Sequence, residues 1–99
     1  MNSLPSIAVS GMQAAQSALR VSAHNVANLN TPGFRRQELS RSALEGGGVT
    51  TRLQRAEQEG AALETDVIAQ LQAKNAFLAN LAVFRTADKL AGALLDERA

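Results

Sequence analysis

Side chains that commonly carry out chemistry in proteins are scarce in this chain of 99 residues. It contains a single histidine, His24, and no cysteine. A lone histidine cannot complete a familiar zinc site, and no Gly-x-Ser-x-Gly motif provides a nucleophile. We therefore interpret His24 as a packing or surface residue, and we expect no disulfide, no thiol catalysis, no metal and no other cofactor.

The carboxylates also fail to form an acid–base pair. Asp66 and Asp88 would lie about 33 Å apart on one straight helix, so they cannot act together within a single chain. Glu64 and Asp66 instead suit the positive end of a helix dipole. The three glycines at residues 46–48 lack the lysine and hydroxyl of a phosphate-binding loop and are typical of a turn. These patterns favour a protein that is not an enzyme and has no small-molecule substrate.

The charge balance excludes a dedicated nucleic-acid binder. Ten basic and nine acidic residues give a formal charge of +1, whereas nucleic-acid binding needs a clustered positive surface. No apolar run approaches the roughly 20 residues of a membrane span. The first basic residue is Arg20 and no apolar core follows a charged start, so we expect neither a cleaved signal peptide nor membrane insertion.

Hydrophobic periodicity predicts a helix over residues 3–29. Apolar residues recur at spacings of three and four, as on one helix face: Leu4, Ala8, Met12, Ala15, Leu19, Ala23 and Val26. A neighbouring row that includes Gly11 widens this stripe. Ser3 is suited to capping the helix, and Pro5 is tolerated in a first turn.

A second helix is predicted over residues 63–96, with Thr65 as a candidate cap. Its apolar stripe consists of Leu63, Val67, Leu71, Leu78, Leu81, Phe84, Ala91 and Leu94. Residues 35–62 form a connector, in which residues 49–53 are a candidate strand. Five arginines are scattered through it: Arg35, Arg36, Arg41, Arg52 and Arg55. They favour a solvated connector, with contact to acidic side chains of a neighbour as the alternative.

These elements predict a mainly α protein with one domain over residues 1–99. Two long amphipathic helices pair as an antiparallel helical hairpin or coiled coil, joined by a short irregular or β-hairpin connector. The core is thin, because 19 residues are alanine and there is no Trp or Tyr, and alanine buries little apolar area. Both stripes are wide, so a hairpin alone would leave apolar surface exposed, which indicates self-association or another partner.

One segment, residues 25–34, combines three asparagines with a Thr-Pro-Gly turn at the end of the first helix. Asparagine weakens a last helical turn, but its amide bonds well to backbone. We predict that this segment ends the first helix and docks it against the next subunit: Pro32 and Gly33 fix the turn, the amides bond to backbone at the junction between subunits, and Phe34 inserts there as an apolar anchor. A merely local helix stop is the alternative. The candidate residues are Asn25, Ala27, Asn28, Asn30, Thr31, Pro32, Gly33 and Phe34.

This decapeptide resembles the signature of the bacterial flagellar basal-body rod protein family, Asn-(Ile/Val)-Ala-Asn-x-Asn-Thr-Pro-Gly-(Phe/Tyr). Residues 10–15 resemble the N-terminal helix of that family, and residues 75–80 and 84–88 resemble its C-terminal helix. The connector is shorter than the insertion that family members commonly carry. The chain therefore resembles a proximal-rod type with a shortened middle region.

The resemblance implies a structural axial subunit that polymerises through its terminal helices. Such subunits form a helical tube in the periplasm, which transmits torque and encloses the export channel. It implies that the partners are further copies of the same chain (self-association) and other flagellar rod and hook proteins. It also implies export by the flagellar type III apparatus without a cleaved signal peptide. On the second helix we predict an interface formed by Val67, Leu71, Leu78, Leu81 and Phe84.

Two other interpretations stay open at this point. An adaptor or export-chaperone-like protein would bind amphipathic partner helices and form a defined heterodimer that does not lengthen. The second is an amphipathic helix that binds a membrane surface. The polar faces of the predicted helices are not lysine-rich, as such helices usually are.

Overall fold

The computed structural model describes residues 3–58, 60 and 62–98 of the chain. In chain order the elements are α1 (Leu4–Ala27), β1 (Gln37–Ala43), β2 (Val49–Arg55) and α2 (Leu63–Arg98). The molecule is elongated, with principal extents of 63 × 24 × 14 Å. This architecture confirms the predicted fold class, two long helices packed together with a β-hairpin as the connector.

The ends of α1 follow from its sequence. The Ser3 hydroxyl accepts a hydrogen bond from the Ser6 backbone N–H at 3.3 Å, as a helix cap does. Pro5 lies in the first turn, where its missing N–H costs nothing. At the other end, Asn28 is the C-cap and its backbone N–H donates to the His24 carbonyl at 3.2 Å. The predicted range of 3–29 therefore differs from the observed one only at its ends.

The longer helix, α2, begins at Leu63 as predicted and continues to Arg98. The prediction that Thr65 caps it is wrong, because Thr65 already lies inside the first turn. With 36 residues, α2 is about 54 Å long at a rise of 1.5 Å per residue. It is therefore much longer than α1, which has 24 residues.

Two contacts fix the antiparallel register of α1 against α2. Asn25 meets Asp66 near one end, and Gly11 faces the side chain of Asn80 near the other. The step from 25 back to 11 and the step from 66 forward to 80 both equal 14 residues, two heptads. Equal steps on the two helices are what an antiparallel pair with the same helical rise requires.

The helices are packed through small side chains. The buried hydrophobic residues of the described chain are all alanines: Ala8, Ala14, Ala15, Ala18 and Ala73. A Cβ atom added to Gly11 would lie only 2.6 Å from Asn80 Oδ1. The helix axes therefore come closer together than larger side chains would permit.

Because the helices approach so closely, only the small residues of the predicted α1 stripe are buried between them. Ala8 and Ala15 are buried as expected, but Leu4 and Leu19 are 54% and 44% exposed. The stripe is therefore buried at its small residues and exposed at these large ones, in agreement with the expectation that a hairpin alone would leave apolar surface exposed. The reason is steric, because the space between the axes holds alanine and glycine and excludes leucine.

The hairpin of β1 and β2 is antiparallel, with register from Gln37↔Arg55 to Ala43↔Val49. The predicted strand at 49–53 is confirmed and extends to Arg55, whereas β1 was not predicted as a strand of its own. The intervening glycine run forms the turn, as expected. Gly47 has a φ of +102°, and a Cβ atom there would lie 2.5 Å from Ile7 Cδ1. A side chain at this position would therefore be strained and would collide with α1.

Hydrogen bonds fasten the hairpin along α1 at both of its ends. The Ser10 hydroxyl donates to the Val49 carbonyl at 2.9 Å and accepts from the Val49 N–H at 2.6 Å. Asn25 bonds in the same reciprocal way to the backbone of Gln37. Ser10 and Asn25 lie about 22 Å apart on the helix, and a strand the length of β1 spans about 20 Å. The matching lengths let both ends bond at once.

Two helical glycines provide a test of the close packing. Gly92→Ala, with no described neighbour within 4 Å of the added Cβ, should increase helix content and stabilise the protein by up to about 1 kcal/mol. Gly11→Ala should give no such gain and should destabilise, because Asn80 is held by its bond to the Ala76 carbonyl at 2.9 Å. Urea unfolding of both variants measures the difference. Equal stabilisation by the two changes would contradict the described packing.

Candidate functional site

The candidate site has two parts, the 25–34 segment and the exposed apolar surface of the helices. Across residues 3–58, 60 and 62–98, no group of three or more His, Asp or Glu side chains is placed to hold a metal ion. No helix among these residues combines the length and the apolar character needed to cross a membrane.

Asn25 connects three elements from the last turns of α1. Its Oδ1 accepts from the Gln37 N–H at 2.8 Å, and its Nδ2 donates to the Gln37 carbonyl at 3.0 Å. The same Nδ2 donates to Asp66 Oδ1 at 3.3 Å. The side chain is 2% exposed, so these bonds form where water cannot replace them. The amide thus joins α1 to the first residue of β1 and to the first turn of α2.

Asp66 accepts from Arg36 as well as from Asn25. Arg36 directs Nη2 to Oδ1 and Nε to Oδ2 of the carboxylate, the second at 3.3 Å. This two-point geometry is the strong form of an arginine–carboxylate ion pair. The hydrogen bond that Arg36 donates to Asp66 raises the pKa of Arg36 above its usual value, so the guanidinium stays charged. We call Asn25, Arg36 and Asp66 the anchoring cluster.

The anchoring cluster corrects two sequence-based interpretations. Asp66 does lie in the first turn of α2, but it is buried and paired, not a solvated dipole residue. Arg36 was expected in a solvated connector or against a neighbour's acidic groups, and it instead pairs within its own chain. No local pattern in the sequence pointed to the pair of Arg36 and Asp66, which are 30 positions apart. Arg35 also bonds within the chain, through Nε to the Ala56 carbonyl at 2.6 Å.

The rest of the 25–34 segment makes mostly local contacts, although the Phe34 carbonyl accepts from the Gly60 N–H at 3.2 Å. Asn28 Nδ2 donates to the His24 carbonyl at 2.9 Å, and Asn28 Oδ1 accepts from the Thr31 hydroxyl at 3.2 Å. Gly33 has a φ of +73°, which confirms the predicted turn after the helix. Phe34 is half-buried and contacts the His24 ring edge-on, with centroids 5.4 Å apart. Its role as an anchor in a neighbouring subunit stays a prediction.

Other members of the 25–34 segment lie at the surface. Ala27, Asn30, Thr31 and Pro32 are exposed. The three asparagines therefore have three different environments, one buried and long-range, one local cap and one exposed. Sequence reasoning anticipated backbone bonds for the amides but did not distinguish the asparagine that links separate elements.

The predicted interface residues of α2 are available for contact with another molecule. Val67, Leu71 and Leu78 are 51%, 59% and 50% exposed. Leu81 and Phe84 are half-buried. None of the five is fully covered by the rest of the described chain, and their burial in an assembly stays a prediction.

A groove lies where α1 and α2 meet. It has a volume of about 140 Å³, and Leu19, Phe77 and Leu78 stand around a floor that includes Ala15 and Ala73. Its surface is almost entirely apolar. We call it the apolar groove. A dry apolar cavity of about 150 Å³ accepts a molecule as large as benzene, so this groove has room for an apolar side chain.

Comparison with known families finds a similarity in the N-terminal part of the chain. Residues 6–35 match the family described as "Flagella basal body rod protein". The match includes most of α1 and the segment from Asn25 to Phe34, and it confirms the predicted resemblance to the rod protein family. No curated protein matches the chain.

Asn25→Ala tests the anchoring cluster. It should destabilise the protein by about 2–4 kcal/mol, because it leaves the backbone N–H and carbonyl of Gln37 without their partners and removes one of the bonds to the buried Asp66. Asn30→Ala is the matched control, since Asn30 is exposed and its loss should change stability by less than about 0.5 kcal/mol. Thermal and urea unfolding measure the stability of both variants. Similar effects of the two changes would show that Asn25 has no special structural role.

Proposed function

We propose that this chain, which carries a rod-family segment at residues 6–35, is a structural axial subunit of the bacterial flagellar basal-body rod. One structural observation supports the proposal most. The helix pair buries alanines and leaves its leucines exposed along both helices. Such a surface is costly in water and is typical of a protein that is completed by its neighbours.

Polymerisation follows from the same surface. Repeated contact between two different faces of identical subunits generates an open helical array when the rotation does not close. The terminal helices would form the wall of a tube that transmits torque and encloses the export channel. Other rod and hook proteins would be its neighbours, and the flagellar type III apparatus would export it to the periplasm without a cleaved signal peptide. No catalytic role belongs to this proposal.

The apolar groove also favours a second candidate, an adaptor or export-chaperone-like protein that binds an amphipathic partner helix. Such grooves accept helices through side chains at spacings of three and four. The two functions differ in solution. An adaptor would form a heterodimer of fixed mass, whereas a rod subunit would increase in mass with concentration.

Leu71→Asp tests the structural role. Leu71 is 59% exposed, so the isolated protein should fold normally, but a charge buried at a subunit contact should block assembly. Bacteria that carry this variant should be non-motile, with the protein exported but absent from basal bodies. Gln72→Asp, the same change at the exposed adjacent position, is the control and should support swimming.

Motility and basal-body content after each change are the measurements. Normal rods built from the Leu71→Asp protein would contradict the proposed interface. Absence of the wild-type protein from purified basal bodies would contradict the rod function itself.

A further inference from the structure

We propose that β2 of this chain pairs with β2 of a second copy, antiparallel and centred on Leu53, so that two hairpins form one four-stranded sheet. The contact goes beyond the rod function proposed above, because it uses the strands of the connector and not the helices. A contact between identical surfaces is two-fold and closes after two copies. It therefore joins free subunits in pairs and does not lengthen an array.

The open edge of β2 presents backbone groups that need an extended chain as partner. In an antiparallel pair, the backbone groups of successive residues point alternately toward the other strand and away from it. Gln37 and Val49 bond outward, to the side chains of Asn25 and Ser10, so the odd-numbered residues of both strands face away from each other. The outward positions of β2 beyond Val49 are Thr51, Leu53 and Arg55. No described residue bonds to the outward groups of these three, and such an edge accepts another strand.

The edge of β1 is not open to a second copy in the same way. Thr65 and Ala69 of α2 line one cleft together with Leu39 and Arg41 of β1. The N-terminal turns of α2 therefore stand beside this edge, where a second hairpin would need room for its own α1. The edge of β2 lies on the opposite side of the hairpin, away from α2.

The apolar residue at the centre of the open edge is complementary to itself. Leu53 is 57% exposed, and it lies opposite Leu39 within the hairpin. Residues directly opposite each other in an antiparallel pair share a face of the sheet. Pairing centred on Leu53 therefore gives one row of four leucines across the sheet, Leu39 and Leu53 from each copy.

This register uses all the free groups of the edge. With Leu53 opposite Leu53, Thr51 lies opposite Arg55 of the second copy, and each opposite pair in this phase exchanges two backbone bonds. A register centred on position 52 would set the two Arg52 side chains directly against each other. One centred on position 54 would leave Thr51 opposite residue 57, past the end of β2.

The arginines of β2 favour the antiparallel arrangement. Arg52 lies opposite Gln54 of the second copy and Arg55 lies opposite Thr51, so no like charges face each other directly. A parallel pair in register would instead set each arginine beside its own copy.

The remaining charges of the hairpin permit the contact. The two Arg52 side chains are diagonal neighbours on the exposed face, and each also has Glu38 as a diagonal neighbour in its own hairpin, which offsets the repulsion. Arg41 lies two strands, about 10 Å, from Arg55 of the second copy, where salt screens the pair. Glu57 lies past the end of β2.

The helices leave room for the four-stranded sheet. Gln37, Leu39, Val49 and Thr51 are half-buried, whereas most residues between them are exposed, so α1 covers one face of the hairpin. The second hairpin lies two strands away, about 10 Å, which is the separation of packed helices. Because α2 lies on the β1 side of each copy, only the two α1 helices meet beneath the sheet.

Symmetric disulfide formation tests the register, because the chain has no cysteine. Full-length Leu53→Cys protein is purified and oxidised. The two cysteines would lie about 5.5 Å apart at Cα, within reach of a disulfide, so we expect at least tenfold more dimer than from Thr50→Cys. Thr50 is exposed on the same strand, but it would lie about 20 Å from its counterpart. Thr51→Cys mixed with Arg55→Cys should cross-link more than either variant alone.

Leu53→Pro tests the backbone pairing. The N–H of Leu53 points outward, so proline removes no hydrogen bond of the hairpin itself, and Leu53→Val, which keeps the N–H, is the control. Both changes are made in the Leu71→Asp protein, in which assembly through the helices should be blocked. Sedimentation velocity should give the mass of two chains for Leu53→Val, and Leu53→Pro should raise the dissociation constant roughly a hundredfold.

A Leu53→Pro protein that still dimerises as well as Leu53→Val would overturn the proposal. So would a dimer yield from Leu53→Cys no higher than that from Thr50→Cys. If neither test shows the pair while the wild-type protein is found in basal bodies, the strand contact is wrong and the rod function stands. Absence from basal bodies with the pair intact would reject the rod function and leave the strand contact standing.

Discussion

The close approach of α1 and α2 is the constraint on which the rest of the structure depends. Glycine and alanine between the helices bring the axes together, and a methyl group added at Gly11 would collide with the Asn80 side chain unless that side chain moved. Alanine burial removes little apolar area from water, so this packing contributes little stability for its length. It also forces many of the larger apolar side chains outward, where the described part of the chain leaves them exposed.

Polar contacts supply the specificity of register that the thin core lacks. The anchoring cluster sets the register of the helices, because a shift along α2 would leave the Asp66 carboxylate buried without Arg36. A buried ion pair often adds little net stability, but breaking it by removing one partner costs about 3–5 kcal/mol. The cluster therefore penalises other registers more than it strengthens this one. Ser10 holds the far end of the hairpin on α1 through its two hydrogen bonds to the Val49 backbone.

The sequence predicts the elements of this fold better than their contacts. Helix periodicity, the Ser3 cap and the turn at Gly33 are local properties, and the structure confirms each. The pairing of Arg36 with Asp66 joins residues 30 positions apart, and no local pattern encodes it. Periodicity also identifies the apolar face of α1 without showing that Ala15 packs inside the chain while Leu19 faces out. That division depends on the distance between the helices, which a single stripe does not specify.

The central claim is that the leucines exposed in one chain are covered by its neighbours in the rod. Single cysteines at positions 71 and 13, reacted with a maleimide dye, compare the free protein with purified basal bodies. Both positions are exposed in the chain, so both should label rapidly in the free protein. In basal bodies the cysteine at 71 should be protected by at least tenfold in rate relative to the free protein. Equally rapid labelling at 71 in both states would contradict the account.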